Sequence, residues 1–233
     1  MITFGSLFAG AGGFDLGFER AGMRALWNVE IDKNCRKLLA ARFPHAAQFD
    51  DVRTVGKHNL APVDVICGGF PCQDLSVAGK RAGLVGERSG LFYELTRITH
   101  ELQPAFLIFE NVSGLLSSNS GHDFLAVLTE LDRIGYHGAW TSLDAQYWHV
   151  AQRRVRVFGC FARNDIGAAR CAEILDLSES LCGNFEACRE KRQAVAPTIS
   201  ARTKGGGGLG TDFDCDGGLI SSTGNVAHCL LMR

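Results

Sequence analysis

The chain has 233 residues, of which 46% are hydrophobic and 21% charged, and its formal net charge is -1. This composition is typical of a folded globular protein and excludes a disordered or fibrous chain. The sequence contains no run of eighteen apolar residues and no signal-peptide pattern at its start, so we expect neither membrane insertion nor export. A nucleic-acid partner would have to bind a local basic patch, because the net charge predicts none.

Nine cysteines are present and no two of them form a CxxC pair. An odd count excludes a complete set of disulfides within one chain, and the missing CxxC pair gives no support for a zinc site. We therefore expect free thiols in a reducing compartment and no bound metal.

Short apolar runs alternate with amphipathic runs along the first two thirds of the chain. The predicted strands are Ile2–Phe8, Arg24–Glu30, Val63–Cys67, Ala105–Phe109, Ala139–Leu143 and Val155–Phe161. The predicted helices are Gly13–Ala21, Asp32–Phe43 with Asp32 as the N-cap, Ser89–Leu102 and Asp123–Ile134. This alternation predicts an α/β fold with a mostly parallel sheet.

The composition changes after Ala162, which predicts two domains, residues 1–161 and residues 162–233. The second contains a weak helical pattern over Cys171–Arg192 and a glycine-rich run over Lys204–Gly210. We expect this second segment to be small and irregular.

A glycine-rich turn, Phe8–Gly17, follows the first predicted strand and opens the first helix. Gly10 and Gly12 fit the G-x-G-x-x-G pattern of dinucleotide sites, but Asp15 occupies the third position and disfavours a pyrophosphate. Glu30 ends the next strand, where an acid can accept hydrogen bonds from ribose hydroxyls. Taken alone, Glu30 is better explained as a solvated strand-end acid.

Three further groups of polar residues lie at strand ends. Cys72 follows Gly68-Gly69-Phe70-Pro71, a loop that can hold a thiol at the surface as a nucleophile. Glu110 ends the strand that begins at Ala105, on the same predicted edge, and can exchange a proton. Arg154 and Arg156 alternate at the start of the last strand, a pattern that suits phosphate or a polar base edge.

These segments, in this order, resemble the cytosine-5 DNA methyltransferases of restriction–modification systems and phages, which use S-adenosylmethionine. The resemblance covers Ile2–Phe161 and implies a Rossmann-like methyltransferase fold in the cytoplasm of a bacterium or a phage-infected cell. It implies Cys72 as the nucleophile and Glu110 as the catalytic acid, with Arg154 and Arg156 holding the target base. In the implied reaction a flipped cytosine of double-stranded DNA is methylated at carbon 5 through a covalent bond to Cys72.

The resemblance also implies the residues that bind cofactor and DNA. Those implied for S-adenosylmethionine are Phe8, Ala9, Gly10, Gly12, Gly13, Glu30, Ile31, Asp51, Val52, Gly69, Phe70, Pro71 and Leu91. Those implied for DNA or the base are Gln73, Ser76, Lys80, Arg81, Asn111 and Gln152.

The last 72 residues do not match the family's closing motif. We therefore expect a truncated or split enzyme that needs a second polypeptide, with weak activity of its own. Two alternatives remain open from the sequence: a tRNA cytosine-5 methyltransferase, and a non-catalytic remnant that binds cofactor or DNA. The oligomeric state and the target sequence are not predicted.

Overall fold

A computed structural model describes residues 1–71, 90–148 and 152–176. The strands are β1 (Thr3–Leu7), β2 (Arg24–Val29), β3 (Ala47–Phe49), β4 (Val65–Gly68), β5 (Phe106–Val112), β6 (Tyr136–Asp144) and β7 (Val155–Arg163). The helices are α1 (Gly13–Arg20), α2 (Lys33–Arg42), α3 (Leu91–Leu102), α4 (His122–Arg133) and α5 (Ala168–Leu175). Single 3₁₀ turns lie at Val52–Thr54, Ser113–Leu116, Ser118–Gly121 and Ala145–Tyr147. The predicted α/β class is confirmed.

The strands form one sheet in the order β3-β2-β1-β4-β5-β7-β6. The neighbours from β3 to β5 pair in parallel, whereas β7 runs antiparallel to β5. The direction of strand order reverses between β1 and β4. In open α/β sheets, ligands bind at the carboxyl ends of the strands on either side of such a reversal.

Two apolar layers cover the sheet, and the alternation of β1 shows why. Phe4 lies in the layer that contains residues of α1 and α2, and Leu7 lies in the larger layer that contains residues of α3 and α4. Gly5 lies under Trp27, and a Cβ at Gly5 would be 2.1 Å from the indole ring. Only glycine lets this large ring lie flat on the strand.

The second helix begins where the sequence predicts. The Asp32 carboxylate accepts hydrogen bonds from the N–H groups of Asn34 and Cys35, both at 2.8 Å. These bonds lower the pKa of Asp32, chiefly the one from Cys35. The N-cap assignment is therefore confirmed.

Two elements differ from the sequence predictions. Ala47–Phe49 forms an edge strand that the pattern did not indicate, because three residues carry too little periodicity. Helix α5 begins at Ala168, before the predicted Cys171–Arg192 pattern, most of which lies outside the described residues.

Helix α5 packs on β7 through a small buried cluster that contains Cys160 and Cys171. One compact unit accordingly comprises Met1–Leu143 and Val155–Glu179, so it runs past the boundary expected at residue 161. Asp144–Arg154 belongs to a second unit. Among the described residues, no helix has the length and apolar character needed to cross a membrane.

Candidate active site

The turn after β1 adopts a backbone that favours glycine. Phe8, Gly10 and Gly12 all have positive φ angles, of 54°, 54° and 80°. A Cβ at Gly12 would also lie 2.9 Å from Leu39 of α2 and 2.8 Å from Phe43, the C-cap of that helix. Glycine at this position therefore serves both the left-handed backbone and the close approach of α2.

The Glu30 carboxylate joins this turn to the end of β2. Its Oε2 accepts a hydrogen bond from the Gly10 N–H at 2.7 Å, and its Oε1 accepts one from the Asp32 N–H at 2.8 Å. Arg36 donates to the carbonyl oxygens of Glu30 and Ile31, which fixes the backbone between them. Each carboxylate oxygen still has a lone pair, so Glu30 can accept further hydrogen bonds from a bound ligand.

An apolar side chain and a second acid flank Glu30. Ile31 is 70% exposed, so its apolar side chain is open to contact with a ligand. Asp51 lies just past β3, and the N–H of Glu30 donates to the carbonyl of Phe49 at the end of that strand. The resemblance also implies Val52 for the cofactor. The Val52 side chain is buried in the core.

The Asp15 carboxyl lies beneath the turn, in the first turn of α1, and is completely buried. Its Oδ2 accepts a hydrogen bond from the Ser6 hydroxyl at 3.0 Å. Burial raises the pKa of Asp15 to about 6, against the lowering effect of the Ser6 bond.

A second carboxylate, Glu110, lies at the end of β5. The Arg156 Nε lies 3.0 Å from Glu110 Oε1, in an ion pair whose N–H does not point at the carboxylate. A Cβ at Gly69 would lie 3.1 Å from Glu110 Oε2, so the loop after β4 passes directly beside this acid. The antiparallel pairing of β7 with β5 is what brings Arg156 to Glu110.

The loop after β4 is held by a hydrogen bond from β5 and by the packing of Phe70. The Asn111 amide donates to the Phe70 carbonyl at 2.9 Å, and its oxygen accepts from the Val112 N–H. Phe70 itself is buried between the rings of Phe92 and Phe109. Asn111 and Phe70 thus fix the backbone that leads to Pro71, the residue before the predicted nucleophile Cys72.

The remaining predicted residues divide into two groups. Leu91 is partly buried at the start of α3, against the core. Arg154 precedes β7 and is bonded through its backbone, its N–H to the Asp144 carboxylate and its carbonyl to the Ala145 N–H. Gln152 is partly exposed in the same second unit. Five predicted residues lie outside the described residues: Cys72, Gln73, Ser76, Lys80 and Arg81.

Comparisons with known proteins identify the family. The profile of the C-5 cytosine-specific DNA methylases matches residues 2–193. The chain belongs to this family. Among curated relatives, Type II methyltransferase M.Bsp6I of Bacillus sp. is 36% identical over 167 residues, covering 70% of this chain and 53% of that protein. M.FnuDI of Fusobacterium nucleatum is 38% identical over 161 residues, covering 69% and 47%.

A solved structure shows the same architecture. A protein described as a DNA modification methyltransferase encoded within an E. coli prophage superposes with a TM-score of 0.60 at 26% identity. The match covers 71% of this chain and 48% of that protein. This chain therefore spans about half the length of the family members that it matches.

Sequence reasoning missed one feature of this methylase domain, the burial of polar groups under the glycine turn. Asn28 is completely buried, and neither atom of its amide has a hydrogen-bond partner among the described residues. It stands beside Ser6 in the sheet register. The only signal in the sequence was Asp15 at a position where the dinucleotide pattern has glycine.

Proposed function

We propose that this chain forms the cofactor-binding and base-binding part of a DNA (cytosine-5) methyltransferase that uses S-adenosylmethionine. The observation that carries the proposal is the position of two carboxylates on one sheet edge. Glu30 is bonded to the glycine turn, and Glu110 lies beside the loop that leads to Cys72. Membership of the C-5 cytosine-specific family supports the same reading.

The residues around the turn fit S-adenosylmethionine better than a dinucleotide. Its nucleoside has ribose hydroxyls and a positively charged sulfur but no phosphate. From Phe8 to Asp15 the sequence has no lysine or arginine, and the acids Asp15 and Glu30 contact or form part of the turn. A Cβ at Gly10 or Gly13 would meet no atom within 4 Å, so the backbone of the turn is open to a ligand.

We assign the parts of this ligand to residues by their chemistry. Glu30 would accept hydrogen bonds from the ribose hydroxyls, and the exposed side chain of Ile31 offers an apolar surface to the adenine ring. Asp51 would take a polar group on the adenine edge. When bound, the cofactor supplies a methyl group on a cationic sulfur.

The residues near the end of β5 and in the loop after β4 act on cytosine; we call them the base half. Carbon 5 of cytosine is a poor nucleophile, and addition of the Cys72 thiolate to carbon 6 makes it electron-rich. Glu110 holds ring nitrogen 3 and stabilises the charge that develops in the ring, while Arg156 holds Glu110 in place. Carbon 5 then takes the methyl group, a base removes the proton from carbon 5, and Cys72 leaves as the thiolate.

The substrate in this proposal is a base flipped out of a DNA duplex, because its carbon 6 is otherwise out of reach. Lys80 and Arg81, a few residues after Cys72, would supply the local positive charge for DNA phosphates. Gln73, Ser76, Gln152 and Arg154 would contact the base or its backbone. Cytoplasmic action on chromosomal or phage DNA follows from this substrate.

The cofactor assignment is tested by ligand binding. We expect S-adenosylmethionine and its demethylated product to raise the melting temperature of the 233-residue chain in a titration. NAD should leave it unchanged, because its phosphates meet no cation at the turn. Equal stabilisation by NAD would refute the assignment.

The nucleophile is tested by trapping. A duplex library that contains 5-fluorocytosine should form a persistent covalent adduct, because fluorine at carbon 5 cannot leave as a proton. The adduct should require S-adenosylmethionine, disappear in Cys72→Ser and persist in the control Cys35→Ser. A chain that binds the cofactor yet forms no adduct, or forms it in Cys72→Ser, contradicts the proposal.

A further inference from the structure

A buried polar cluster lies under the glycine turn and has no role in the chemistry described above. Ser6 on β1 is flanked in the sheet register by Asn28 on β2 and Cys67 on β4. The Ser6 hydroxyl donates to Asp15 on α1. All four side chains are buried to 1% exposure or less.

This cluster is incompletely bonded. Asp15 Oδ1 and both polar atoms of the Asn28 amide lack hydrogen-bond partners among the described residues. A buried polar atom without a partner costs free energy, so its persistence calls for an explanation. Apolar side chains in this site would cost no folding stability. The polar side chains are therefore explained if they support a neighbouring part of the structure.

The group that they support is the turn itself. Ser6 lies two residues before Phe8 and Asp15 lies three residues after Gly12, so their hydrogen bond spans the turn from strand to helix. Inside this span, three residues hold left-handed backbone conformations. The Ser6–Asp15 bond closes the turn on one side, and the Gly10–Glu30 bond closes it on the other.

We propose that Asp15 is a positioning residue for the cofactor turn, which it holds through Ser6 in the conformation that presents Gly10 and Glu30 to the ligand. This inference rests on the proposed use of S-adenosylmethionine. An ionised Asp15 accepts the Ser6 bond more strongly than a neutral one and favours a cationic ligand nearby. Cofactor affinity is therefore coupled to the charge of Asp15.

The surroundings of Asp15 make its charge sensitive to pH. Glu19 on its own helix disfavours the Asp15 anion. On β4, Asp15 and burial raise the pKa of the Cys67 thiol, which therefore stays neutral. Helix α2 presents Leu39 and Phe43 to the turn, and β2 presents the neutral Asn28. Within the described ranges, Asp15 forms no ion pair with lysine, arginine or histidine.

The chain contains a matched control for this arrangement. Asp123 is also buried, also lies in the first turn of its helix, and also accepts a hydrogen bond from a serine, Ser118, at 2.5 Å. Its second oxygen accepts from Asn119. Asp123→Asn therefore removes the same kind of group from a site that does not hold the glycine turn.

The first test measures the dissociation constant of S-adenosylmethionine between pH 5 and pH 8. We expect the wild-type chain and Asp123→Asn to bind about fivefold more tightly at pH 8 than at pH 5. Asp15→Asn keeps the oxygen that accepts from Ser6 and should fold, but its affinity should not change with pH. An identical pH profile in Asp15→Asn and the wild type would overturn the inference.

The second test needs no ligand. We expect Ser6→Ala and Asp15→Ala, which each break the Ser6–Asp15 bond, to raise the hydrogen-exchange rate of the Gly10 amide at pH 8, and Asp123→Ala to leave it unchanged. Unchanged exchange at Gly10 in both turn variants would also overturn the inference. Failure of the wild-type chain to bind S-adenosylmethionine at any pH refutes the proposed function instead, while this exchange measurement still decides the role of Asp15.

Discussion

The two carboxylates at the functional edge, Glu30 and Glu110, are held in opposite ways. Glu30 accepts hydrogen bonds from two backbone N–H groups, those of Gly10 and Asp32. Within the described residues, Glu110 pairs with one charged side chain, the Arg156 guanidinium, whose Nε lies 3.0 Å from Oε1 without a hydrogen bond between them. The Gly69 backbone beside it supplies space rather than a bond.

We propose that this difference separates a binding acid from a reacting one. These two backbone amides are held in place by the glycine turn and by the start of α2, so Glu30 is a fixed acceptor for neutral hydroxyls. An ion pair with one long side chain leaves Glu110 free to change its partner when a base arrives. The account therefore assigns cofactor affinity to the first carboxylate and chemistry to the second.

The largest effect is expected from Glu110→Gln. The amide cannot carry the charge or proton that the base half needs, so methyl transfer to DNA should fall about a thousandfold. Binding of S-adenosylmethionine should change less than twofold. The control is Glu101→Gln, at another glutamate that is paired with an arginine. Glu101 lies near the end of α3 and accepts hydrogen bonds from the Arg97 guanidinium and the Lys57 N–H. Equal loss of transfer in both variants would break the comparison.

The next effect is on the free energy of unfolding, and it comes from Asp15, the buried acid under the glycine turn. Its folded-state pKa of about 6 lies above the ordinary value of 3.8, so the folded chain holds the proton more tightly than the unfolded one. Folding is therefore favoured at low pH, and the free energy of unfolding should fall between about pH 4 and pH 6. The total loss is up to about 3 kcal/mol, with no further change above that range.

Urea unfolding at pH 4, 6 and 8 measures this loss. Asp15→Asn should show no such fall and should be more stable than the wild type at pH 8, whereas Asp123→Asn should not be. A wild-type stability that rises from pH 4 to pH 6 relative to Asp15→Asn would contradict the assignment.

A smaller effect is expected from Glu30→Ala. Loss of a fixed acceptor for the ribose hydroxyls, together with two bonds that hold the turn, should weaken S-adenosylmethionine binding at least about thirtyfold. The trapping of 5-fluorocytosine at saturating cofactor should persist. Glu173→Gln, at an acid on α5 that pairs with Arg170, is the control. Unchanged affinity in Glu30→Ala would remove the distinction drawn between the two carboxylates.

The smallest effect tests the apolar surface beside Glu30. Ile31→Ala should weaken S-adenosylmethionine binding about fivefold through lost contact with the adenine ring, at little cost in stability because Ile31 is exposed. Leu125 on α4 is also an exposed apolar residue, and Leu125→Ala should have no effect on the affinity. Calorimetric titration of both variants makes the comparison, and equal changes in the two would contradict a specific contact at Ile31.

The sequence predicted the edge of the sheet but not how its residues are held. Strand alternation and parallel order place Glu30 and Glu110 at strand ends. Glu30 directly follows β2, whereas Glu110 lies two residues before the end of β5, because its pairing with β7 extends that strand to Val112. The two bonds of Glu30 depend on the left-handed turn at Gly10, and the Glu110–Arg156 contact depends on the antiparallel register of β7. Such partners are set by tertiary geometry, which residue periodicity does not encode.

Burial of polar groups escaped the sequence for a related reason. Asn28 lies in an apolar run and Asp15 in an amphipathic helix, and neither pattern says that a polar side chain points inward. The Asn111 amide, implied for the base, is instead engaged with the Phe70 carbonyl and the Val112 N–H. A residue type in a motif predicts what it can bond to, whereas only the fold decides which partner it meets.

The division of labour between the two carboxylates is tested most directly by one paired measurement. The dissociation constant of S-adenosylmethionine is determined by calorimetric titration for the wild-type chain, Glu30→Ala and Glu110→Gln under identical conditions. The account predicts at least about thirtyfold weaker binding in Glu30→Ala and less than twofold change in Glu110→Gln. Equal weakening in both variants, or weaker binding only in Glu110→Gln, would contradict it.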